Sequence, residues 1–500
     1  MTLRAEVRID TERRLGAIDP GIYGQFIEHV GRAIYGGVFE PGSGLADDAG
    51  YRLDVVDAAR ELRPHVLRWP GGNFASGYHW RDGVGPVDER PTRRDLAWNT
   101  LESNRFGTEE FLELCRRLGA APYLNLNLST GTLDEALSWL EYCNASDPLP
   151  EVALRQAGPH PEPHGVPIWG LGNENYGWWQ HGHTTADRYA EMAREWGKLL
   201  RWADPAVRLV GVGAPDPDWN WTVLQQAGKF IDWLSVHSYW SPGQADEYDG
   251  VVTAPLAAEE LVTSTWGMCL AARKLHGLRE PVRIAVDEWG VWYHSARPIV
   301  AGLGSVEMMR QGLSARSGID TNFEESYDLK DALAVATWLH VMWRHPEKVT
   351  LATQAQMVNV IAPIQVGPDG LVRHTVFHPL ALARAFAGDV ALDTHVLCDE
   401  DVAAPNLPSA SAPALDAGAT LDSASGRVHL SLVNRHRTEE LEVTLRGVGG
   451  AARIVRLAHD DPFAGNTLAA PTVVVPEETK VDDLTSLVLP PHSHTTVAFA

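Results

Sequence analysis

Between about residue 20 and residue 380, this 500-residue chain alternates short runs of β-branched and aromatic residues with amphipathic helix patterns. Such alternation is typical of a parallel sheet with crossover helices. Eight units of this kind predict a (β/α)8 barrel. A doubly wound open sheet is the alternative, but no Gly-rich turn follows the first predicted strand. The predicted barrel strands are residues 22–27, 65–69, 122–128, 167–172, 207–212, 231–237, 282–287 and 349–354.

Beyond residue 380 the helical periodicity gives way to strand alternation. Val428, Leu430 and Leu432 alternate with polar neighbours, and this pattern predicts an all-β sandwich of the jelly-roll type. Residues 403–425 are rich in Pro, Ala and Ser, so we expect mainly loop or edge structure there.

The N-terminal segment predicts a strand that has no place in the barrel. Ala5, Val7 and Ile9 lie on one face, whereas the first predicted barrel strand begins only near residue 22. We therefore expect this strand to pair within the β-sandwich. The predicted domains are a catalytic barrel over residues 20–380 and a β-sandwich formed by residues 1–19 and 381–500.

Charge and composition restrict the partners of the chain. Asp and Glu outnumber Lys and Arg by 65 to 42. A surface of this charge would repel nucleic acid and anionic membranes, so we expect neither as a partner. No apolar stretch approaches the roughly 20 residues that a membrane span requires. The 18 Trp residues exceed the usual need of a core, and they fit two explanations: indole faces that stack against sugars, or large aromatic residues of the core, which would account for about half of them or more.

Cysteine usage and the N-terminal sequence bear on localisation. The four Cys residues stand far apart without ligand spacing, so we expect reduced core residues. The first six residues alternate polar and apolar side chains and lack the apolar run of a secretory signal. Together these features predict a cytoplasmic protein.

Two carboxylates follow predicted strands at positions that suit glycoside hydrolysis. Glu174 comes directly after the fourth strand, and Glu288 directly after the seventh. Because the strand ends of a barrel meet at one mouth, both side chains should point into the same pocket. Retaining glycosidases hold two such groups about 5 to 5.5 Å apart. The pair therefore predicts this chemistry, although either glutamate alone could belong to a strand-end salt bridge.

The two carboxyl groups need different protonation states. We expect burial and an ionised Glu288 to keep Glu174 protonated, with Trp178 and Trp292 as aromatic surroundings. Asn173, directly before Glu174, can hydrogen-bond a sugar 2-hydroxyl.

Six segments resemble the α-L-arabinofuranosidases of glycoside hydrolase family 51, and the resemblance covers nearly the whole chain. This family belongs to a clan of barrels with the acid on strand four and the nucleophile on strand seven. The segments are Tyr23-Gly24-Gln25-Phe26-Ile27-Glu28-His29, Arg68-Trp69-Pro70-Gly71-Gly72-Asn73-Phe74, Arg94-Asp95-Leu96-Ala97-Trp98, Gly172-Asn173-Glu174, Asp287-Glu288-Trp289 and Ala355-Gln356-Met357-Val358-Asn359-Val360.

The resemblance implies a role for each matched residue. Glu174 would be the acid/base and Glu288 the nucleophile of a retaining, exo-acting enzyme, and Tyr239 would hydrogen-bond the nucleophile. The implied ligands of the furanose hydroxyls are Glu28, Asn73, Asn173 and Gln356, and the implied aromatic walls are Trp98 and Trp292.

The resemblance further implies that the enzyme needs no cofactor and forms a homo-oligomer, often a hexamer in this family. Its substrates would be arabinofuranosyl-containing oligosaccharides. We expect His237 to be a scaffold hydrogen-bonder rather than a base.

Two places depart from the family pattern. Residues 175–179 read Asn-Tyr-Gly-Trp-Trp, and Trp240 stands where typical members have a second Tyr. We expect these added indoles on the leaving-group side, so another furanoside or a β-xyloside stays open as the glycone.

Three other readings stay open. One is an endo-β-1,4-glucanase with the same carboxylate pair, and another is a non-catalytic sugar-binding protein. His181 and His183, with Asp187 nearby, give a weak signal for a metal site because no third ligand stands at motif spacing.

The segment 295–326 is long enough for a lid or an interface element.

Overall fold

A computed structural model describes residues 3–242, 246–293 and 323–500. The described strands are β1 (Leu3–Ala17), β2 (Gly24–Phe26), β3 (Val66–Trp69), β4 (Arg93–Asp95), β5 (Thr100–Glu102), β6 (Ala121–Asn125), β7 (Ile168–Leu171), β8 (Arg208–Val212), β9 (Trp233–Trp240), β10 (Arg283–Val291), β11 (Val349–Gln354), β12 (Ile364–Gly367), β13 (Gly370–Arg373), β14 (Val390–Cys398), β15 (Asp401–Ala403), β16 (Ser411–Pro413), β17 (Leu415–Leu421), β18 (Val428–Asn434), β19 (Leu441–Arg446), β20 (Gly450–Leu457), β21 (Glu477–Leu484), β22 (Ser486–Leu489) and β23 (Ser493–Phe499). The described α-helices are α1 (Leu53–Leu62), α2 (Thr108–Leu118), α3 (Leu133–Asn144), α4 (Pro150–Gln156), α5 (Ala186–Ala203), α6 (Pro217–Ala227), α7 (Glu247–Val252), α8 (Ala254–His276), α9 (Leu329–Arg344) and α10 (Phe377–Phe386).

Eight parallel strands close into a barrel in the order β2, β3, β6, β7, β8, β9, β10, β11. Each overlaps one of the eight strands predicted from the sequence, and the predicted barrel is confirmed. Side chains from seven of these strands fill one layer of the interior, so the barrel is a packed core with its open end at the carboxyl ends of the strands. The layer consists of Val66, Tyr123, Ile168, Val210, Trp233, Ala285 and Leu351.

The helices around the barrel follow from local sequence. Helix α3 begins where the Thr132 hydroxyl accepts a hydrogen bond from the Glu135 amide at 3.1 Å. Helix α2 buries Phe111 and Leu118 against the barrel and ends at Gly119, whose positive φ of 67° suits a left-handed cap. Such caps fix where each crossover helix stops and where the next strand begins.

The all-β domain is built on a nine-stranded sheet in the order β21, β20, β23, β18, β17, β14, β1, β19, β22. Strand β1 pairs antiparallel with β14 and parallel with β19, so the N-terminal strand lies inside this sheet, as the sequence predicts. Its alternating face buries Ala5, Val7 and Ile9 in the core of the domain. The sheet therefore joins the first strand of the chain to the last third of the sequence.

The prediction of loop or edge structure for residues 403–425 is wrong for β17. This strand is buried along its whole length and lies between β14 and β18. Its small residues lack a strong strand propensity, but they let a barrel helix approach closely. A Cβ on Gly418 would lie 2.8 Å from Trp343 Cε3 and 3.0 Å from His340 Cδ2 of α9.

Helix α9 connects the two domains. Almost every residue from Leu329 to Trp343 is buried, because the helix packs between the barrel and the sheet. His340 Nδ1 lies 2.8 Å from Asp416 Oδ2, and Asp416 also pairs with Arg344 and Arg435. Burial would raise the pKa of Asp416, but the two guanidinium groups and His340 hold it well below its usual range. The junction is thus a buried, charge-compensated contact.

The four Cys residues are free thiols, three of them buried in helices and Cys398 half-buried in β14. Among the described residues, no helix combines the length and the apolar character needed to cross a lipid bilayer.

We expect Gly418→Ala to destabilise the protein, because the added methyl group collides with α9 at the domain junction. Overpacking of a tight core contact typically lowers the free energy of unfolding by about 1 to 3 kcal/mol. Chemical denaturation of the variant and the wild type, followed by Trp fluorescence, measures the change.

Gly267→Ala is the matched control. Gly267 is exposed in the middle of α8, and its added methyl group meets no atom within 4 Å. Since alanine favours a helix over glycine by up to about 1 kcal/mol, this variant should be as stable as the wild type or more so. Equal stability of both variants would contradict the close approach of β17 and α9.

Candidate active site

Two glutamates meet at the mouth of the barrel, at the ends of its fourth and seventh strands. Glu174 follows β7, and Glu288 lies near the end of β10. Glu174 has a left-handed backbone with φ of 45°, and its carbonyl accepts a hydrogen bond from the Gly177 amide at 2.7 Å. This turn points the side chain across the mouth. One oxygen of each carboxylate and one nitrogen of His237 lie within 4.8 Å of one another.

Glu288 is buried and has partners on both oxygens. Its Oε1 accepts a hydrogen bond from Arg68 at 2.8 Å, and its Oε2 accepts one from the Tyr239 hydroxyl at 2.8 Å. His237 Nδ1 lies 3.5 Å from Oε2. The hydrogen bond between Tyr239 and Glu288 is the contact that the resemblance implies. The carboxylate is therefore held in one orientation toward the pocket.

Glu174 is surrounded by hydrogen-bond donors. His237 Nδ1 lies 2.8 Å from Oε1, and the Tyr176 hydroxyl donates to the same oxygen at 3.3 Å. The Trp179 indole N–H donates to Oε2 at 2.7 Å. Burial would raise the pKa of Glu174, but His237 and the two aromatic donors lower it. These donors therefore favour the ionised form of Glu174 in the free site, whereas the protonated form is expected from the sequence.

The surroundings of His237 favour the protonated imidazole. Burial would lower the pKa of this imidazole, but the charges of Glu288, Asp287 and Glu174 raise it to about 10. Its Nε2 lies 3.4 Å from Asp287 Oδ1. His237 is thus part of the active site and more than a scaffold residue, because it lies between three carboxylates. Sequence spacing could not reveal this placement.

Arg68 also belongs to the site, although in the sequence it is named only as part of a motif. The guanidinium is fully buried and donates to Glu288 at 2.8 Å and to the Asn173 carbonyl oxygen at 2.7 Å. The Asn173 amide donates in turn to Asn73 Oδ1 at 3.3 Å. Arg68 therefore links Glu288 to Asn173, the residue directly before Glu174.

Glu28 lies on the opposite wall of the pocket. Its Oε1 accepts hydrogen bonds from the Phe74 amide at 2.9 Å and from the Trp98 indole at 3.1 Å. The Gln356 side chain accepts from the Glu28 amide at 3.0 Å and donates to its Oε2 at 3.4 Å. Burial and the charge of Glu288 raise the pKa of Glu28 to about 8. Glu28 is therefore a neutral acid at pH 7 and can both donate and accept.

Gly72 shows how closely these groups converge. A Cβ at this position would lie 2.8 Å from Glu288 Oε1, and 3.4 Å from both Asn173 Nδ2 and Glu28 Oε2. Only glycine lets the backbone form this part of the pocket floor.

Aromatic rings close one side of the pocket. Trp292 contacts Tyr239 with ring centroids 5.0 Å apart, and Phe323 touches both Trp98 at 5.6 Å and Trp292 at 5.8 Å. Phe323, which the sequence did not single out, thus links the two predicted tryptophan walls. Most of the segment 295–326 lies outside the described residues, so its predicted role stays untested.

The added indoles divide into two groups. Trp179 contacts the acid, and Trp178 packs edge-on against Trp179 with centroids 5.9 Å apart. Trp240 is not on the leaving-group side as expected, because it is buried against Trp289 and Trp338. Trp240 therefore departs from the family pattern in the packing of the core.

In the described ranges, Glu174, His237 and Glu288 are the single group of three or more side chains close enough to bind one metal ion. The positive charge of Arg68 and the proton on His237 disfavour a cation there. His181, His183 and Asp187 form no such group.

Comparisons with known proteins agree with this geometry. The family model of the α-L-arabinofuranosidase 1 domain matches residues 58–252, and the family model of the α-L-arabinofuranosidase C-terminal domain matches residues 287–493. The chain is 38% identical to α-L-arabinofuranosidase C of Emericella nidulans, over 98% of this chain and 96% of that protein. It is 29% identical to the structure of a family 51 α-L-arabinofuranosidase from Bifidobacterium longum, with a TM-score of 0.90 over 99% and 100% of the two chains. The chain belongs to the family 51 α-L-arabinofuranosidases.

Other α-L-arabinofuranosidases are also similar over most of their length. The structure of the Thermotoga maritima α-L-arabinofuranosidase in an arabinose complex is 36% identical, with a TM-score of 0.88 and 99% coverage of both chains. An intracellular exo-α-(1→5)-L-arabinofuranosidase of Halalkalibacterium halodurans is 35% identical over 89% of this chain and 87% of that protein. The full-length matches show that both domains are common to the family, and they favour an enzyme over a non-catalytic sugar-binding protein.

We expect Glu28 to contribute an alkaline decline in activity. Above about pH 8 its ionisation places a second negative charge beside Glu288, so kcat/KM for an arabinofuranoside should fall. Glu28→Gln keeps a neutral side chain at all pH values and should lack this part of the decline. An alkaline limb identical in both proteins would show that Glu28 is not the titrating group.

Proposed function

We propose that this enzyme removes terminal, non-reducing α-L-arabinofuranosyl residues from arabino-oligosaccharides by double displacement with retention. The observation that carries the proposal is the approach of Glu174 and Glu288 to within 4.8 Å across the barrel mouth. This separation suits a retaining pair and is shorter than the roughly 6.5 to 9.5 Å that an inverting enzyme needs for its water.

In the first step, a Glu288 oxygen attacks the anomeric carbon while the glycosidic C–O bond breaks. Glu174 delivers a proton to the departing oxygen, and a covalent glycosyl-enzyme forms. In the second step, water attacks the same carbon, Glu174 takes the water proton and Glu288 leaves as a carboxylate. Charge is conserved in each step, and the two steps together return the pair to its initial state.

The proton for the first step can come from His237. In the free site the imidazole holds it, with Nδ1 at 2.8 Å from Glu174 Oε1. A shift of this proton from His237 to the Glu174 carboxyl group gives a protonated Glu174 and a neutral His237 beside the ionised Glu288. Substrate that excludes water from the pocket raises the pKa of Glu174 and so favours this transfer.

The remaining pocket residues bind the sugar. Neutral Glu28 and the amides of Asn73, Asn173 and Gln356 offer donors and acceptors to the furanose hydroxyls, and Asn173 is placed for the 2-hydroxyl. Trp98 and Trp292 provide the apolar walls.

We further propose a cytoplasmic homo-oligomer, with a hexamer as the expected assembly, that needs no cofactor and acts on short oligosaccharides. The Halalkalibacterium halodurans relative, named as intracellular and exo-acting, supports this location and substrate class. Light scattering of the purified protein measures the assembly. Equal activity on intact arabinoxylan and on arabino-oligosaccharides would contradict the substrate class.

The first test is hydrolysis of 4-nitrophenyl α-L-arabinofuranoside. Glu288→Ala should abolish activity by several orders of magnitude because no covalent intermediate can form. Glu174→Ala should lose about two to four orders of magnitude, and azide should restore part of the rate because it attacks the glycosyl-enzyme without a base.

The control is Glu191→Ala, which removes an exposed carboxylate from α5 and should act like the wild type. Faster hydrolysis of the β-D-xylopyranoside or of another furanoside would keep the mechanism but change the glycone. Glu288→Ala activity equal to that of the wild type would disprove the assignment of the nucleophile.

A further inference from the structure

The segment Asn175–Gln180 gives the acid/base a hydrogen-bond partner that the general chemistry of the pair does not require. The two oxygens of Glu174 have different neighbours: Oε1 faces His237 and Tyr176, and Oε2 accepts the indole N–H of Trp179 at 2.7 Å. We propose that Trp179 is a positioning residue that directs Glu174 Oε2 toward the leaving group and favours the base form in the second step. This inference rests on the proposed role of Glu174.

The assignment of Oε2 as the reacting oxygen follows from the chemistry of the Trp179 indole, which is the donor. An indole N–H donates and cannot accept, whereas each carboxylate oxygen has two lone pairs. With Trp179 on one lone pair of Oε2, a proton on that oxygen must take the other. His237 and Tyr176 occupy Oε1 in the same way. Oε2 is therefore the oxygen that carries the proton to the departing sugar and later accepts one from water.

The preference for the base form follows from charge. A hydrogen bond from a neutral donor to an ionised carboxylate is stronger than one to the neutral acid. The Trp179 bond therefore stabilises ionised Glu174, which the second step needs as a base. Removal of the indole should make Glu174 a weaker acid and reduce its ionised fraction at low pH.

The packing of the segment fixes the indole in place. A Cβ on Gly177 would lie 2.5 Å from Trp179 Cε2 and 2.6 Å from Cζ2, so the ring lies flat on the Gly177 backbone. The Tyr176 ring meets the indole at a centroid distance of 5.9 Å. Gln180, the next residue, is buried and donates a short hydrogen bond to Ser76. The indole has little freedom to leave Glu174.

The test uses the pH dependence of kcat for 4-nitrophenyl α-L-arabinofuranoside. Because 4-nitrophenolate leaves easily, hydrolysis of the glycosyl-enzyme limits kcat, and a burst of nitrophenol verifies this. The acid limb of kcat then reports the ionisation of Glu174 as the base. Trp179→Phe should move this limb upward by about one pH unit. Azide, which needs no base, should restore the rate lost at low pH.

Two further variants distinguish a positioning role of Trp179 from a general disturbance of the segment's structure. Gly177→Ala keeps the indole but displaces it, so its acid limb should move in the same direction. Trp178→Phe removes an indole from the same segment, one that makes no hydrogen bond to Glu174 among the described residues, so its limb should stay at the wild-type position.

A uniform loss of kcat in Trp179→Phe, without a shift of the limb, would overturn the inference, as would an equal shift in Trp178→Phe. Azide rescue of Glu174→Ala is measured in parallel. If that rescue occurs and the limb of Trp179→Phe does not move, the inference on Trp179 fails while the role of Glu174 stands. If no rescue occurs, the proposed function itself fails.

Discussion

One buried guanidinium organises the active site. Arg68 is withdrawn from water at the end of β3 and contacts the Phe26 and Tyr123 rings, with its Cζ 4.7 and 5.6 Å from their centroids. A charge in such surroundings must be compensated, and Asp287, Glu288 and the Asn173 amide oxygen provide the partners. The same contacts tie β3, β7 and β10 together at the barrel mouth. The positions of Glu288 and of Asn173, the residue before Glu174, thus follow from the need to compensate one buried cation.

The features that could be predicted from the sequence are those that depend on local residue patterns. All eight barrel strands could be found because each is a short apolar run between amphipathic helices, and Glu174 and Glu288 could be found because both end such runs. Strand β17 was missed, since its Ala and Gly residues become a strand only through contact with α9. The lowered pKa of Glu174 could not be foreseen for a similar reason, because it depends on His237 from another strand. Phe323 likewise contacts neighbours that are distant in sequence, Trp98 and Trp292.

The site also shows how one protonated imidazole can offset the negative charges of three carboxylates. Asp287, Glu174 and Glu288 surround His237, and a single imidazolium lowers the electrostatic cost of their proximity. Glu28 differs from these three carboxylates, because its raised pKa of about 8 favours the neutral form beside Glu288. Burial alone would favour protonation of every carboxyl group in the pocket. The donors that each one meets decide which of them ionises.

The position of β1 has a consequence for synthesis of the chain. The ribosome makes β1 before any strand of the barrel, yet its partners β14 and β19 are completed only after the whole barrel has emerged. Until then the apolar face formed by Ala5, Val7 and Ile9 has no sheet to join. Vectorial synthesis therefore leaves an unpaired strand edge exposed while the barrel folds, which is a risk for aggregation. The domain that contains the first strand is the last to be completed.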